Sequence, residues 1–231
     1  MKKWDDLPKS MRNNSVKKYY DILKHKKISL FFKRLFDIVF SIIGLVILSP
    51  LFLIISIAIK LDSRGPIFFR QERVTRYDKS FKIFKFRTMI QNADKKGSLV
   101  TVKDDNRITR IGKLIRKCRL DEIPQLINIL TGDMSFVGTR PEVRKYVDKY
   151  TNEMMATLLL RAGVTSNASI SYKDEDLLLN KANKNTTNID NVYVKEILPQ
   201  KMKINLKYIY KFGLVYDLKV ICRTVKAIIR R

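Results

Sequence analysis

Histidine and cysteine are almost absent from this chain. His25 is the single histidine in 231 residues, and Cys118 and Cys222 are the two cysteines. So sparse a set argues against a zinc site or a histidine-based triad. The cysteines stand apart, which fits neither a disulfide framework nor a metal spacing and points to a reducing compartment. Acid–base work is left to carboxylates, tyrosine or lysine. Carboxylates are scarce as well: 22 Asp and Glu stand against 47 Lys and Arg, a formal net charge of +25. Such a charge suits nucleic acid or an anionic membrane surface and says little about fold. The first residues lack the short apolar core and small-residue cleavage site of a signal peptide. There is no internal repeat and no second catalytic domain. What is present is a hydrophobic fraction of 45%, enough for the core of one modest domain with appendages.

The longest uncharged run is Ile38 to Ile59, 22 residues, sufficient to cross a bilayer as one helix. Ser49-Pro50 interrupts it. Proline removes a backbone bond, and the serine hydroxyl can bond back to a carbonyl and deepen the bend. Both flanks are basic, with Lys33 and Arg34 before and Lys60, Arg64, Arg70, Arg73 and Arg76 after. A true span is expected to show charge asymmetry. The reading is a helix–break–helix element that dips in and returns, with a Pro-kinked span left open on the residues alone. Residues 1–34 carry eleven Lys or Arg against three Asp, which reads as a basic anchor for acidic lipids or a disordered tail.

Pro66 to Gln71 and Ser80 to Arg87 alternate apolar and polar residues, giving two short strands joined by a turn at Arg73 to Lys79. Phe81, Ile83 (or Phe84) and Phe86 are placed in the core, with Lys82, Lys85 and Arg87 on the other side. Residues 91–106 read as a loop, Asp104-Asp105 included. Arg107 to Cys118 reads as an amphipathic helix with a stripe of Ile108, Ile111, Leu114, Ile115 and Cys118. Val143 to Leu160 is expected as a further helix, Ser169 to Tyr172 as a short strand, and Asp174 to Ile189 as a polar insert. Asp217 to Arg231 puts Leu218, Ile221, Cys222, Val225, Ile228 and Ile229 on one face. That basic amphipathic helix suits a membrane interface or packing on the domain equally well.

Chemistry concentrates in Leu120 to Glu142. Proline at a first helical position loses nothing, so Pro124 to Leu130 reads as a short helix stopped by Gly132. Asp121 and Glu122 stand at its mouth, where free N–H groups and partial positive charge favour anions. Adjacent carboxylates there suggest a nucleophile plus a base, or a metal ligand plus a base. On its own the pair is also explained by acidic capping. Cations bracket it on both sides, from Arg107 to Arg119 and at Arg140, as a diphosphate beside a carboxylate would require.

These blocks carry a resemblance. KRLFDIV (33–39), LSPL (48–51), GPIFFRQERV (65–74), FKIFKFRTM (81–89), RITRIGKLIR (107–116), LDEIPQLINIL (120–130) and GDMSFVGTRPE (132–142) occur in order. Together they closely resemble the monotopic phosphoglycosyl transferases, also called the bacterial sugar transferase family. The likeness is dense from Lys33 to Pro141 and weaker beyond. It implies transfer of a sugar 1-phosphate from a nucleotide sugar, with UDP the expected nucleotide, to polyprenol (undecaprenyl) phosphate. Nucleoside monophosphate would leave, in the initiating step of capsule, exopolysaccharide, O-antigen or other glycoconjugate assembly. It implies Mg²⁺ held by Asp121, and a place on the cytoplasmic face of a bacterial plasma membrane. Asp121 and Glu122 become the catalytic dyad, with Asp121 the nucleophile and Glu122 taking the acceptor's proton or holding its place. Lys85 and Arg87 would face the nucleotide sugar, and Arg116 and Arg140, beside Pro141, would hold phosphate oxygens. Asp190 and Tyr193 match the C-terminal pattern and join the substrate set. The Ser49-Pro50 break would enter one leaflet and present the prenyl phosphate in its groove. At Arg161-Ala162-Gly163 and Ser166 the chain departs from the family's Arg-Pro-Gly and second glycine, which leaves that loop less rigid.

The expected fold is α+β and mostly helical: a basic segment (1–34), a re-entrant membrane helix (35–61) and a small soluble catalytic domain with amphipathic interfacial helices (62–231). A non-catalytic, membrane-tethered polybasic protein binding anionic lipid or nucleic acid is the alternative. The cations are dispersed rather than gathered on an aromatic-lined stripe, which disfavours nucleic acid. The sugar and any homo-oligomer are left open.

Overall fold

A computed structural model describes residues 1–91, 93, 105–172 and 189–229. Nearly all of the loop expected at 91–106 and of the insert expected at 174–189, Asp104 included, lies outside them.

The first residues fold. Two 3₁₀ turns (Trp4–Asp6 and Lys9–Met11) lead into α1 (Asn14–Lys24). The Asn13 side chain accepts from the Val16 amide and caps α1, as Asn favours. Val16, Tyr19, Tyr20 and Leu23 are buried at helical spacing, with Leu7 and Met11 beside them. They join the largest core cluster, against Met155–Leu160 and Leu206–Phe212. A disordered tail over 1–34 is therefore corrected. The lysines hid an apolar stripe, and that stripe is what the fold uses.

Next come α2 (Lys27–Ile47) and α3 (Ser49–Asp62), bent by 62° at the break. The Ser49 hydroxyl donates to the Val46 carbonyl at 2.8 Å, as expected. Pro50 sits in the first turn of α3, where its missing N–H costs nothing. Among the described residues no single helix is long and apolar enough to cross a membrane, though the bent pair together passes on length and composition. The burial is inverted relative to an ordinary surface helix. Phe32, Val39, Ile43, Val46, Leu53 and Ile57 are exposed, while Lys33, Asp37 and Ser41 are buried. Lys33 donates to Asp217 (2.5 Å) and the Val137 carbonyl (2.9 Å). Asp37 accepts from the Ser135 hydroxyl and the Phe136 amide. The polar stripe thus docks the arm, and the apolar one faces out.

Strands β1 (Phe68–Thr75) and β2 (Lys79–Phe86) form an antiparallel hairpin running from Phe68↔Phe86 to Thr75↔Lys79. Its turn, Arg76–Asp78, holds Tyr77 and Asp78 at positive φ. The single core face expected for β2 is corrected. Phe81 and Ile83 pack against Ile129, Met134 and Ala162. Phe86, of opposite parity, packs with Ile55, Ile59 and Ile115. Phe84 is only half-buried. Lys85 shares the parity of Phe81 and Ile83 and turns inward, not to the solvated side. The hairpin is a wedge with apolar contacts on both faces.

Helix α4 (Arg110–Lys117) is capped by Thr109; of the expected stripe Ile115 is buried and Ile108 and Ile111 are half-buried, while Leu114 and Cys118 are exposed. A 3₁₀ turn (Leu120–Glu122) and α5 (Gln125–Thr131) follow. Gly132 stops α5 in the left-handed conformation (φ 93°). Strands β3 (Met134–Val137) and β4 (Ala162–Thr165) pair in parallel. A Cβ on Gly163 would sit 2.1 Å from the Gly138 nitrogen, so this crossing needs glycine.

The helix expected over Val143–Leu160 is reduced to α6 (Arg144–Val147) and a 3₁₀ segment (Met154–Leu159). Every residue from Met155 to Leu160 is buried, which leaves no polar face for an amphipathic helix. The strand expected at Ser169–Tyr172 is instead α7 (Asn167–Ser171), capped by the Ser166 hydroxyl accepting from the Ser169 amide. Serine at the family's glycine position makes a helix start. The chain ends with α8 (Ile189–Val192), a π turn (Tyr193–Ile197), α9 (Leu198–Lys211) and α10 (Leu214–Ile229). In α10, Asp217 and Val220 are buried while Leu218, Val225 and Ile228 are exposed. Its apolar stripe is thus turned away from the domain. The class is α+β and mostly helical, as expected.

Candidate active site

Arg119 takes a left-handed conformation (φ 57°, ψ 18°), uncommon for a non-glycine residue. It turns the chain out of α4 and starts the 3₁₀ turn that carries Asp121 and Glu122. Pro124 is the residue before α5 rather than its first, so the dyad stands on its own tight turn ahead of the helix. Asn128, inside α5, fixes that helix to β2. Its carbonyl oxygen accepts from the Phe84 amide (2.7 Å), and its amide donates to the Lys82 carbonyl (3.1 Å). Lys85, next along β2, is thereby aimed at the dyad turn.

The two carboxylates have different surroundings. One oxygen of Glu122, Oε1, gathers Arg140 at 2.8 Å, Lys85 at 3.2 Å and Arg119 at 3.9 Å. Its side chain is 12% exposed. Burial pushes its carboxyl up, but Arg140 and Lys85 outweigh that and hold it far below the usual carboxylate range. Asp121 has no hydrogen bond or ion pair among the described residues. Burial raises its carboxyl, against the pull of the Lys85 ammonium, and the Glu122 charge raises it further. Lys85 itself is pushed down by burial, partly offset by Glu122. The site therefore pairs a carboxylate locked to cations with one that is uncommitted. A locked carboxylate is a weak proton acceptor; an uncommitted one is available for metal binding or for attack.

The Arg140 loop is braced from behind. Arg73 donates to the Pro141 carbonyl (3.1 Å), and the Val74 amide donates to the Glu142 carbonyl. Buried Glu142 accepts from the Tyr193 hydroxyl at 2.5 Å, with the Lys201 ammonium 3.6 Å away. Asp190 accepts from the Tyr146 hydroxyl (2.7 Å) and from Lys145.

The structure thus brings Lys85, Arg140, Asp121 and Glu122 together, and Arg116 is near enough to stabilise the Asp121 charge. Tyr193 meets the Arg140 loop through Glu142, behind Pro141, and Asp190 lies a helical turn further back. Arg87 goes elsewhere: its guanidinium donates to the Ser63 carbonyl (2.6 Å), the Ser63 hydroxyl (2.9 Å) and the Ile59 carbonyl (3.4 Å), closing the C-terminal end of α3. Asn128, Arg73, Glu142 and Lys201 were missed in the sequence. The one signal available was a polar residue, Asn128, inside a short and mostly apolar helix, where Gln125 shares its buried face.

Among the described residues no three metal-ligating side chains come together. A Mg²⁺ ion needs only one or two carboxylates when substrate phosphates and water complete its shell. The unpaired Asp121 carboxylate fits such an ion.

A model of the family described as bacterial sugar transferase matches residues 28–231. The chain is 36% identical over 204 residues to a UDP-N-acetylgalactosamine-undecaprenyl-phosphate N-acetylgalactosaminephosphotransferase of Aeromonas hydrophila, covering 86% of this chain and 44% of that protein. It is 35% identical to a UDP-glucose:undecaprenyl-phosphate glucose-1-phosphate transferase of Klebsiella pneumoniae, covering 86% and 40%. A protein of Caulobacter vibrioides bearing that same name is 33% identical, with 85% and 69% covered. The chain therefore spans less than half the length of the first two.

Proposed function

The chain belongs to the bacterial sugar transferase family, and from that membership and the geometry of the dyad we propose that it is a phosphoglycosyl transferase. It moves a sugar 1-phosphate from a nucleotide sugar to polyprenol phosphate and releases nucleoside monophosphate. The observation that carries this reading is the unequal pair of carboxylates, one free and one bound to Lys85 and Arg140. A nucleoside monophosphate leaves readily only if its charge is met, and cations already gathered beside a nucleophile do that.

Asp121 attacks the phosphorus that bears the sugar. A bond forms from its carboxylate oxygen to that phosphorus as the bond to the nucleoside monophosphate breaks. A phosphate oxygen of the polyprenol phosphate then attacks the same phosphorus and frees Asp121. Splitting the transfer in this way lets one residue serve both substrates. Mg²⁺ held by Asp121 supplies charge neutralisation on the diphosphate. Arg140, Lys85 and Arg116 bind phosphate oxygens. Glu122 holds Arg140 and Lys85 in register and does not act as the base. None is needed, because a phosphate monoester with its second pKa near 6 is largely ionised at neutral pH.

The bent α2–α3 pair sits in one leaflet with both ends on the cytoplasmic side, its exposed apolar face and that of α10 against lipid. The groove beside Pro50 delivers the prenyl phosphate. The UDP nucleotide, the place on the bacterial plasma membrane and the role in glycoconjugate assembly complete the reading.

The test is release of nucleoside monophosphate from a panel of nucleotide sugars, with polyprenol phosphate and Mg²⁺ present. Mass spectrometry without acceptor accompanies it. Release together with a phosphosugar adduct on Asp121 is expected. No release from any donor would overturn the activity. Release that requires acceptor, with no adduct, would replace the two-step path by direct transfer.

A further inference from the structure

A second concentration of positive charge lies away from the dyad, where the Arg76 guanidinium stacks on the Tyr77 ring. Arg76, in the hairpin turn, and Arg161, just before β4, line a small cleft with Leu30 and Lys33 of α2. No residue of the dyad site lines it. Each guanidinium is anchored through one nitrogen to a carbonyl: Arg76 Nε to Leu159 (3.0 Å) and Arg161 Nε to Gly132 (2.8 Å). Neither makes an ion pair among the described residues. The Arg76 Nη2 atom is buried and has no hydrogen-bond partner. The third guanidinium nearby, Arg34, is spent on the Ile129 and Leu130 carbonyls.

The carboxylate in the cleft, Asp37, offsets only part of their charge. Asp37 is 1% exposed and committed to the Ser135 hydroxyl and the Phe136 amide. Lys33 is committed to Asp217. Burial lowers the Arg161 guanidinium, Arg76 and Arg34 lower it further, and Asp37 offsets part of this. Two partly buried guanidiniums facing one carboxylate leave positive charge unmet, which is costly and which an anion in the cleft would relieve.

We propose that Arg76 and Arg161 form a second phosphate-binding site, distinct from the dyad, at the head of α2. The guanidinium fork suits phosphate oxygens. The cleft has a volume of ≈ 10 Å³, room for about one water-sized atom. It therefore admits one phosphate oxygen, with the rest of the group outside. Position selects the source. Leu30 lines the cleft, and its neighbours Ile28, Phe31 and Phe32 open the exposed apolar face of α2. A phosphate carried by a lipid would meet the guanidiniums as its acyl chains meet that face. Free phosphate shares the chemistry and lacks the second contact. The lipid source rests on α2–α3 entering a bilayer; the phosphate site itself does not.

The test uses the full chain in zwitterionic detergent with three probes: short-chain phosphatidylglycerol, phosphatidylcholine of the same chain length, and inorganic phosphate. Binding is read by native mass spectrometry and by the shift in melting temperature. Wild type should retain phosphatidylglycerol over phosphatidylcholine. The double variant Arg76→Gln, Arg161→Gln should weaken that by tenfold or more, since hydrogen bonds from charged donors are the strong ones. Arg76→Lys, Arg161→Lys keeps the charge and should restore part of it, which separates lost binding from lost folding. Inorganic phosphate alone stabilising wild type, and not the Gln variant, supports the site while removing the lipid as its source. Equal retention of phosphatidylglycerol by wild type and the Gln variant, or no response to any probe, overturns the proposal. Loss of nucleoside monophosphate release is a separate readout and bears on the dyad only.

Discussion

Replacing Glu122 by glutamine separates a positioning role from a base role. The amide keeps an acceptor oxygen toward Arg140 and Lys85 but drops the charge. Two ion pairs, at 2.8 and 3.2 Å, become hydrogen bonds from a charged donor to a neutral acceptor. The loss is about 1–1.5 kcal/mol each, part of the roughly 1.5–3 kcal/mol that hydrogen bonds to charged groups contribute. The sum, about 2–3 kcal/mol, is roughly a 30- to 160-fold fall in rate. Because the cations serve the donor's diphosphate, the fall should already appear in adduct formation on Asp121 without acceptor. The pH profile supplies a second sign. Asp121 must be ionised to attack, and burial together with the Glu122 charge raises its folded pKa. Activity is then lost on acidification at a higher pH than for an ordinary aspartate. Glu122→Gln removes the repulsion and leaves Lys85 and Arg140 in place, so the acid limb should move to lower pH. Rapid-quench mass spectrometry of the adduct, with nucleoside monophosphate release across pH, measures both. Adduct formation at the wild-type rate, with only transfer to acceptor lost, would refute the positioning argument and make Glu122 the base.

Asp121→Asn should abolish both adduct and turnover, because an amide is a far poorer nucleophile; turnover near the wild-type rate would remove it as nucleophile. Excess chelator should stop turnover while leaving the melting temperature unchanged, and full activity in chelator would exclude the metal. Lys33→Met leaves Asp217 buried without its ammonium, at a cost of roughly 3–5 kcal/mol. By thermal unfolding that is a drop of about 6–20 °C, and a further Asp217→Asn, which removes the charge and keeps an acceptor for the Tyr208 hydroxyl, should recover most of it. Pro50→Leu should straighten the α2–α3 break, moving an engineered cysteine near position 63 to periplasmic labelling in intact cells. Wild type labelled there from the periplasm would sink the re-entrant arrangement.

What was legible in the sequence was whatever local chemistry determines. Ser49-Pro50 announced the bend, Gly132 the end of α5, and alternation around Phe81 the hairpin. Two adjacent carboxylates among cations were visible as a pair, and the resemblance made them a candidate dyad. The division of labour within it was not, because Lys85 and Arg140 converge on one Glu122 oxygen from a strand and a loop far apart in the chain. Arg87 misled for a related reason: two positions after Lys85 it looked like a partner, yet the strand ends at Phe86 and its side chain turns to Ser63. Ser166 and the buried run at Met155–Leu160 show tertiary context overriding propensity. The lysine-rich start concealed the stripe from Val16 to Leu23, since charge counts average over faces that folding separates.

That first helix has a consequence for the order in which the molecule comes together. Lys26, just past the end of α1, bonds the Tyr210 carbonyl, 184 positions later. Tyr19 packs edge-on against Tyr210, and α1 rests on the Met154–Leu159 segment and on α9. At roughly 5–20 residues per second, α1 waits about 10–40 s on the ribosome for the surface that covers it. The apolar arm of α2 and α3 emerges in the meantime. Closure of α1 over that core is thus a late step, taken only after the last helices have been made.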